Sequence, residues 1–174
     1  MESNKLSTVE QTFIVHWGQM GVQWGINRSV AQVHALLYLS DTPLHAERIC
    51  ELLNVARSNV STSLKELQAW GLVHKVGQLG DQRDHFEAIQ DVWELARIIL
   101  NERKKREIDP TFKALQEFTQ QAKSDPATSD YTSKRLQEMA SLLQDSSTWF
   151  DRMNRIPPKA IKALIKLGGP KKQS

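Results

Sequence analysis

The sequence predicts a mainly α protein that carries one small β-hairpin, and two observations support this. Apolar residues recur every three or four positions through most of the chain, the period of a helix with one buried face. The exception is the stretch from 72 to 89, where two short β-compatible runs flank a polar, glycine-containing loop. No internal repeat is present.

The chain has 174 residues, enough for one domain with a real core plus an appendage. With 40% hydrophobic and 25% charged residues it has the composition of a folded protein, not a disordered or fibrous one. A net charge of +3 permits a nucleic-acid partner without requiring one. The lone cysteine, Cys50, excludes an intramolecular disulfide and fits a reducing compartment. The polar start Met1-Glu2-Ser3-Asn4-Lys5 lacks the apolar stretch of a signal peptide. Apolar runs such as Ile98-Ile99-Leu100 fall far short of the ~20 residues a membrane span needs. The cytoplasm is the expected location.

The first helix runs from Ser7 to Trp24, with Val9, Phe13, Trp17, Met20 and Trp24 as its stripe. Gly18, Gly21 and Gly25 predict close packing against another backbone, or fraying at its end. A second helix starts near Ser29, where Ser29 and Gln32 have capping-box spacing, and buries Val30, Val33, Leu36 and Leu37. It stops at Ser40-Asp41-Thr42-Pro43. A third spans about His45 to Leu53, with Ala46, Ile49, Leu52 and Leu53 inward. The short connection Asn54-Val55-Ala56 leads to a fourth, from Arg57 to about Trp70, closed by Gly71.

The runs 72–76 and 85–89 then read as a hairpin around the loop 77–84, with His74 and His85 able to face each other. Helices resume at Asp91, whose spacing to Glu94 suits a cap, and bury Val92, Trp93, Ala96, Ile99 and Leu100. Asp109-Pro110 is expected to stop that helix and begin another with Phe112, Leu115 and Phe118 on its face. Residues 123–130 are the linker. A long helix follows, with Leu136, Met139, Leu143, Ser146, Phe150 and Met153 forming an a/d-type seam. Pro157-Pro158 breaks it before a short basic helix carrying Ile161, Leu164 and Leu167.

Helix, short turn, helix, glycine, strand, polar loop, strand is the order of a winged helix-turn-helix. Such a unit holds one helix on a rigid support so that its outer face can enter the major groove, about 12 Å wide. At about 100° per residue, Val60, Leu64 and Leu67 share one stripe and must face the core. Opposite lie Ser58, Thr62 and Lys65, with Ser61 to one side and Arg57 and Asn59 at the helix start. These hydroxyl, amide and cationic groups suit base edges and phosphates, and the helix N-terminus offers free amides. From the loop, Gln82 and Arg83 are candidate contacts, Arg83 reaching a minor groove or a phosphate with Asp81 bracing it. An Asp81–Arg83 pair lying idle in solvent is the competing reading.

The run from Leu44 to Ser61, with Leu64, Leu67, Trp70-Gly71-Leu72-Val73 and Gly80-Asp81-Gln82-Arg83-Asp84, resembles the MarR-like repressors, and most nearly their GbsR branch. Ala35-Leu36-Leu37-Tyr38-Leu39-Ser40, Asp91-Val92-Trp93 and the run from Glu102 to Pro110 extend the resemblance over about residues 10 to 120. Two departures stand out. Ala56 replaces the usual hydroxyl cap of the recognition helix, and His45 replaces a small hydroxyl residue ahead of the third helix.

The resemblance implies a homodimer that brings two recognition helices to an inverted repeat in double-stranded DNA. It also implies repression, in some members under control of a small molecule. Separately, the terminal helices carry apolar faces that one small winged domain could hardly cover. The expected organisation is therefore a dimerisation helix at 1–28, a DNA-binding domain at 29–90 and helical dimerisation segments at 91–174.

Of five tryptophans, Trp17, Trp24 and Trp93 are the candidate cage for a choline-like effector, an idea that the GbsR resemblance makes attractive. Each also falls on or beside an apolar stripe, so core packing explains them without a ligand and is the preferred reading. Cys50 lies next to core positions and reads as a buried, inert thiol. The histidines have no zinc-ligand spacing, so neither metal nor cofactor is expected. No nucleophile elbow, phosphate loop or carboxylate pair suggests an enzyme. Arg103-Lys104-Lys105-Arg106 could strengthen attraction to the DNA backbone but reads first as a solvated face, and Lys159, Lys162 and Lys166 lie on a helix too short and weakly apolar for a membrane surface. The alternative to a DNA-binding regulator is a winged-helix module that docks proteins.

Overall fold

The structure is a computed structural model, which describes residues 5–157 and 160; the short basic helix expected after Pro158, with its lysines, lies outside them. The chain divides into two compact units, residues 1–98 and 99–174.

The first unit is a winged helix-turn-helix with one added helix in front. Helix α1 (Thr8–Gln23) opens with a capping box in which Ser7 accepts from the Glu10 amide and Glu10 accepts from the Ser7 amide. Its innermost line is Ile14, Gly18 and Gly21, while Val9 is exposed. The glycines allow the close approach: a Cβ at Gly21 would lie 2.6 Å from the Ala31 methyl of the next helix. That helix, α2 (Arg28–Leu39), starts one residue earlier than expected, because Asn27 rather than Ser29 is the cap. Val30, Val33, Leu36 and Leu37 form its buried face.

Strand β1 (Leu44–His45) precedes α3 (Ala46–Leu53), α4 (Arg57–Ala69), β2 (Val73–Gln78) and β3 (Asp81–Ala88). The sheet order is β1-β3-β2, all antiparallel. The hairpin is longer and its turn tighter than the sequence suggested. Gln78 pairs with Asp81, which leaves only Leu79 and Gly80 between the strands, and Gly80 has φ +84°. Residues 77–84 therefore belong mostly to strands. Nearly all are exposed, so this ribbon needs no apolar alternation and shows none. His85 faces His45 of β1 rather than His74, which sits opposite Glu87.

Helix α5 (Val92–Arg103) is capped by Asp91, as its spacing predicts. Its inward residue is Leu95, however, and Val92, Ala96 and Leu100 are exposed. Apolar residues nearly surround this helix, so their period alone could not single out the buried face.

The second unit contains a π-helical turn (Lys104–Ile108), α6 (Asp109–Ser124) and α7 (Asp130–Asn154). Asp109-Pro110 does not interrupt the helix as expected. The wider π turn ends one residue before Asp109-Pro110 enters α6, in the turn that a ring without an N–H would otherwise meet. Leu115 is buried, Phe112 half-buried and Phe118 exposed. Along α7 the seam residues Leu136, Leu143, Ser146, Phe150 and Met153 are half-buried, but Met139 is 55% exposed. Lys104 Nζ ties the turn to Asp109 (3.0 Å) and to Asp151 of α7 (3.3 Å). A polar groove between α6 and α7, about 700 Å³ in volume, is lined by Gln116, Gln120, Gln137 and Gln144, with Phe112 at one side.

Candidate nucleic-acid interface

Helix α4 is positioned by its inner face. Val60, Ser63, Leu64 and Leu67 are buried, packed toward α2 and α3. The aliphatic residues supply most of the anchoring, each worth about 1.5–3 kcal/mol when fully buried. The opposite face holds Arg57, Ser58, Asn59, Ser61, Thr62 and Lys65, all exposed. No side chain caps the helix: Ala56 is extended at φ −64°, ψ 144° and leaves the Arg57 and Ser58 amides open for an anion, while the Asn59 amide donates to the Ala56 carbonyl.

The preceding helix is capped, by an unexpected residue. Nδ1 of His45 accepts from the Arg48 amide at 3.2 Å, so the histidine ring supplies the cap that a small hydroxyl side chain commonly provides. At Asn54 the backbone takes φ 51°, a left-handed value asparagine tolerates, and this turns the chain from α3 into α4.

On the wing, Gln82 and Arg83 are exposed on β3 and do not occupy the hairpin tip, which is Leu79-Gly80. Arg83 Nε donates to both oxygens of Asp81 at 2.9 Å, and its backbone amide donates to the same carboxylate. These bonds hold the Asp81 carboxyl far below the usual range and raise the Arg83 guanidinium.

The surface also contains a carboxylate that sequence reasoning did not place there. Glu47, in the first turn of α3, is ion-paired through Oε1 with Nη1 of Arg57. An acidic residue at that position reads in sequence as a complement to the helix dipole. Its partner ten residues on becomes apparent only once α3 packs against α4.

Trp17 and Trp24 meet edge to face with centroids 6.1 Å apart, and Phe13 stacks on Trp17 at 5.5 Å. Trp93 belongs to no ring pair among the described residues. Cys50 is half-buried and free. Among the described residues no three metal-ligating side chains come together, and no helix is long and apolar enough to cross a membrane.

This arrangement defines a winged-helix domain with a polar, partly cationic outer helix. Residues 24–84 match the model of the MarR family, a span that takes in α2, β1, α3, α4, β2 and the outer half of the wing. The chain is also similar to a solved structure described as a transcriptional regulator, at 17% identity and a TM-score of 0.56, over 84% of this chain and 95% of that one. Transcriptional regulator Tm0710 from Thermotoga maritima is 18% identical over 81% of this chain and 91% of its own, with a TM-score of only 0.39. None of the curated proteins matches the chain.

Proposed function

We propose that this protein is a sequence-specific, DNA-binding transcriptional regulator, without enzymatic activity, that acts in the cytoplasm as a homodimeric repressor on an inverted repeat. The observation that carries the reading is the division of α4. Its aliphatic side is buried, while Ser58, Ser61, Thr62 and Lys65 face outward, flanked by Arg57 and Asn59 at the helix start. Short hydroxyl and cationic groups on a rigidly held helix suit base edges and phosphates. A protein-docking face would more often carry aromatics. Gln82 and Arg83 would add contacts from the wing. The family match over residues 24–84 favours the same reading, and the residues quoted above favour the GbsR branch.

Dimerisation is supported by apolar side chains left exposed outside the winged domain. Val9, Val15 and Val22 lie on α1, and Met139, Leu142 and Trp149 on α7. In this reading residues 1–28 and 91–174 pair the subunits, and 29–90 meet DNA. A choline-like effector would find an aromatic pair in Trp17 and Trp24, but Trp93 joins no ring pair among the described residues and core packing remains the preferred reading of all three. A thermal shift with choline or betaine, lost in Trp17→Ala, tests that element.

The test of the main reading is selection of bound duplexes from a randomised library, followed by titration of the selected duplex against a shuffled one. Enrichment of an inverted repeat supports it. Equal, weak affinity for both duplexes removes it.

A further inference from the structure

Most cations on the outer surface of the winged domain are paired with a carboxylate. Arg57 is paired with Glu47, Arg83 with Asp81, Arg48 with Glu51 at 3.0 Å and Lys75 with Asp84 at 2.6 Å. Lys65 has no ion-pair partner among the described residues. The Glu47 carboxylate has a particular place in this pattern. Oε1 takes Nη1 of Arg57, and Oε2 lies 3.1 Å from Nδ1 of the His45 that caps the same helix. Its own backbone amide, then Arg57, hold its pKa down to about 2, so it is charged at any pH where DNA is bound. Its field also reaches Arg83 on the wing. One fixed negative charge thus acts on both arginines assigned to DNA.

We propose that Glu47 sets the specificity of this surface by fixing the Arg57 guanidinium in one position, so that DNA meets a placed donor and not a roaming charge. The proposal rests on the DNA-binding reading above. A guanidinium has five N–H donors, and Glu47 engages Nη1, which leaves others for a phosphate or base edge that arrives in register. Nonspecific binding gains from any cation free to find any phosphate, since its energy is almost wholly counterion release. A tethered Arg57 beside a carboxylate yields little of that gain. Glu47 is a positioning residue: it acts through Arg57 and needs no DNA contact of its own.

The test measures affinity and its salt dependence for two duplexes, one selected by the wild type and one shuffled. Glu47→Gln, which keeps the shape of the side chain, is expected to tighten binding to the shuffled duplex about tenfold and to steepen its salt slope by about 0.9. Affinity for the selected duplex does not rise, so the ratio between the two falls about tenfold. Glu51→Gln removes a carboxylate paired with Arg48 instead and shifts both duplexes alike. With Arg57→Gln already present, Glu47→Gln no longer changes the ratio. The proposal is overturned by an unchanged ratio in Glu47→Gln, by an equal fall in Glu51→Gln, or by a fall that persists without Arg57. A wild type that distinguishes no duplex removes the DNA-binding reading, and this proposal with it.

Discussion

The imidazoles of His45 and His85 meet edge to face, ring centroids 5.5 Å apart, where β1 pairs with β3. The contact joins the cap of α3 to the wing, since the same His45 ring accepts from the Arg48 amide. His45→Ala removes both interactions and is expected to lower the unfolding free energy by about 1–2 kcal/mol. His45→Ser restores the cap but not the ring contact, and recovers about half. Urea unfolding of the three proteins checks the order; equal stability of the alanine and serine variants contradicts the capping role.

Ala56 offers the opposite change. It has the extended backbone of an N-cap and no side-chain oxygen. Ala56→Ser gives the first-turn amides of α4 an acceptor and is expected to stabilise the protein by about 1 kcal/mol. The same unfolding experiment reads the gain, and a loss of stability contradicts it.

His34 makes folding sensitive to acid. It is 4% exposed on α2 and stacks near Tyr38, and its Nε2 has no partner among the described residues. Burial lowers its pKa to about 4 from an ordinary 6.5. The folded protein therefore keeps His34 neutral while the unfolded chain takes up a proton. Its contribution is complete above about pH 6.5 and drains away as pH falls to about 4, at a cost of about 3 kcal/mol. Glu47, with its pKa near 2, titrates below this window. Unfolding free energies at pH 7 and 4.5 are expected to differ by about 2–3 kcal/mol more in the wild type than in His34→Leu. Parallel pH profiles for the two proteins contradict the assignment.

The parts legible in the sequence were those with a strong local signal. Val60, Leu64 and Leu67 oriented α4 because three aliphatics at helical spacing admit one buried side. Asp91 announced its cap, and the missing cap at Ala56 was equally plain. What could not be read depended on tertiary pairing. Leu44–His45 is too short a strand to show a period, and it exists because β3 lies alongside it. The wing strands continue through polar residues because the ribbon is exposed, which leaves no alternation to detect. The Glu47–Arg57 pair spans two helices and arises from their packing. In α5, apolar residues on nearly every side concealed the choice of Leu95.

Binding of the selected duplex by Lys65→Ala and Arg83→Ala tests the central claim most directly. Both side chains lie on the surface, and their removal is expected to leave helicity unchanged. Fluorescence anisotropy across a salt series is predicted to show each variant binding about tenfold more weakly, with the salt slope reduced by about 0.9 in Lys65→Ala and by less in Arg83→Ala, whose guanidinium Asp81 already partners. Wild-type affinity and slope in both variants would contradict the assignment of α4 and the wing to DNA.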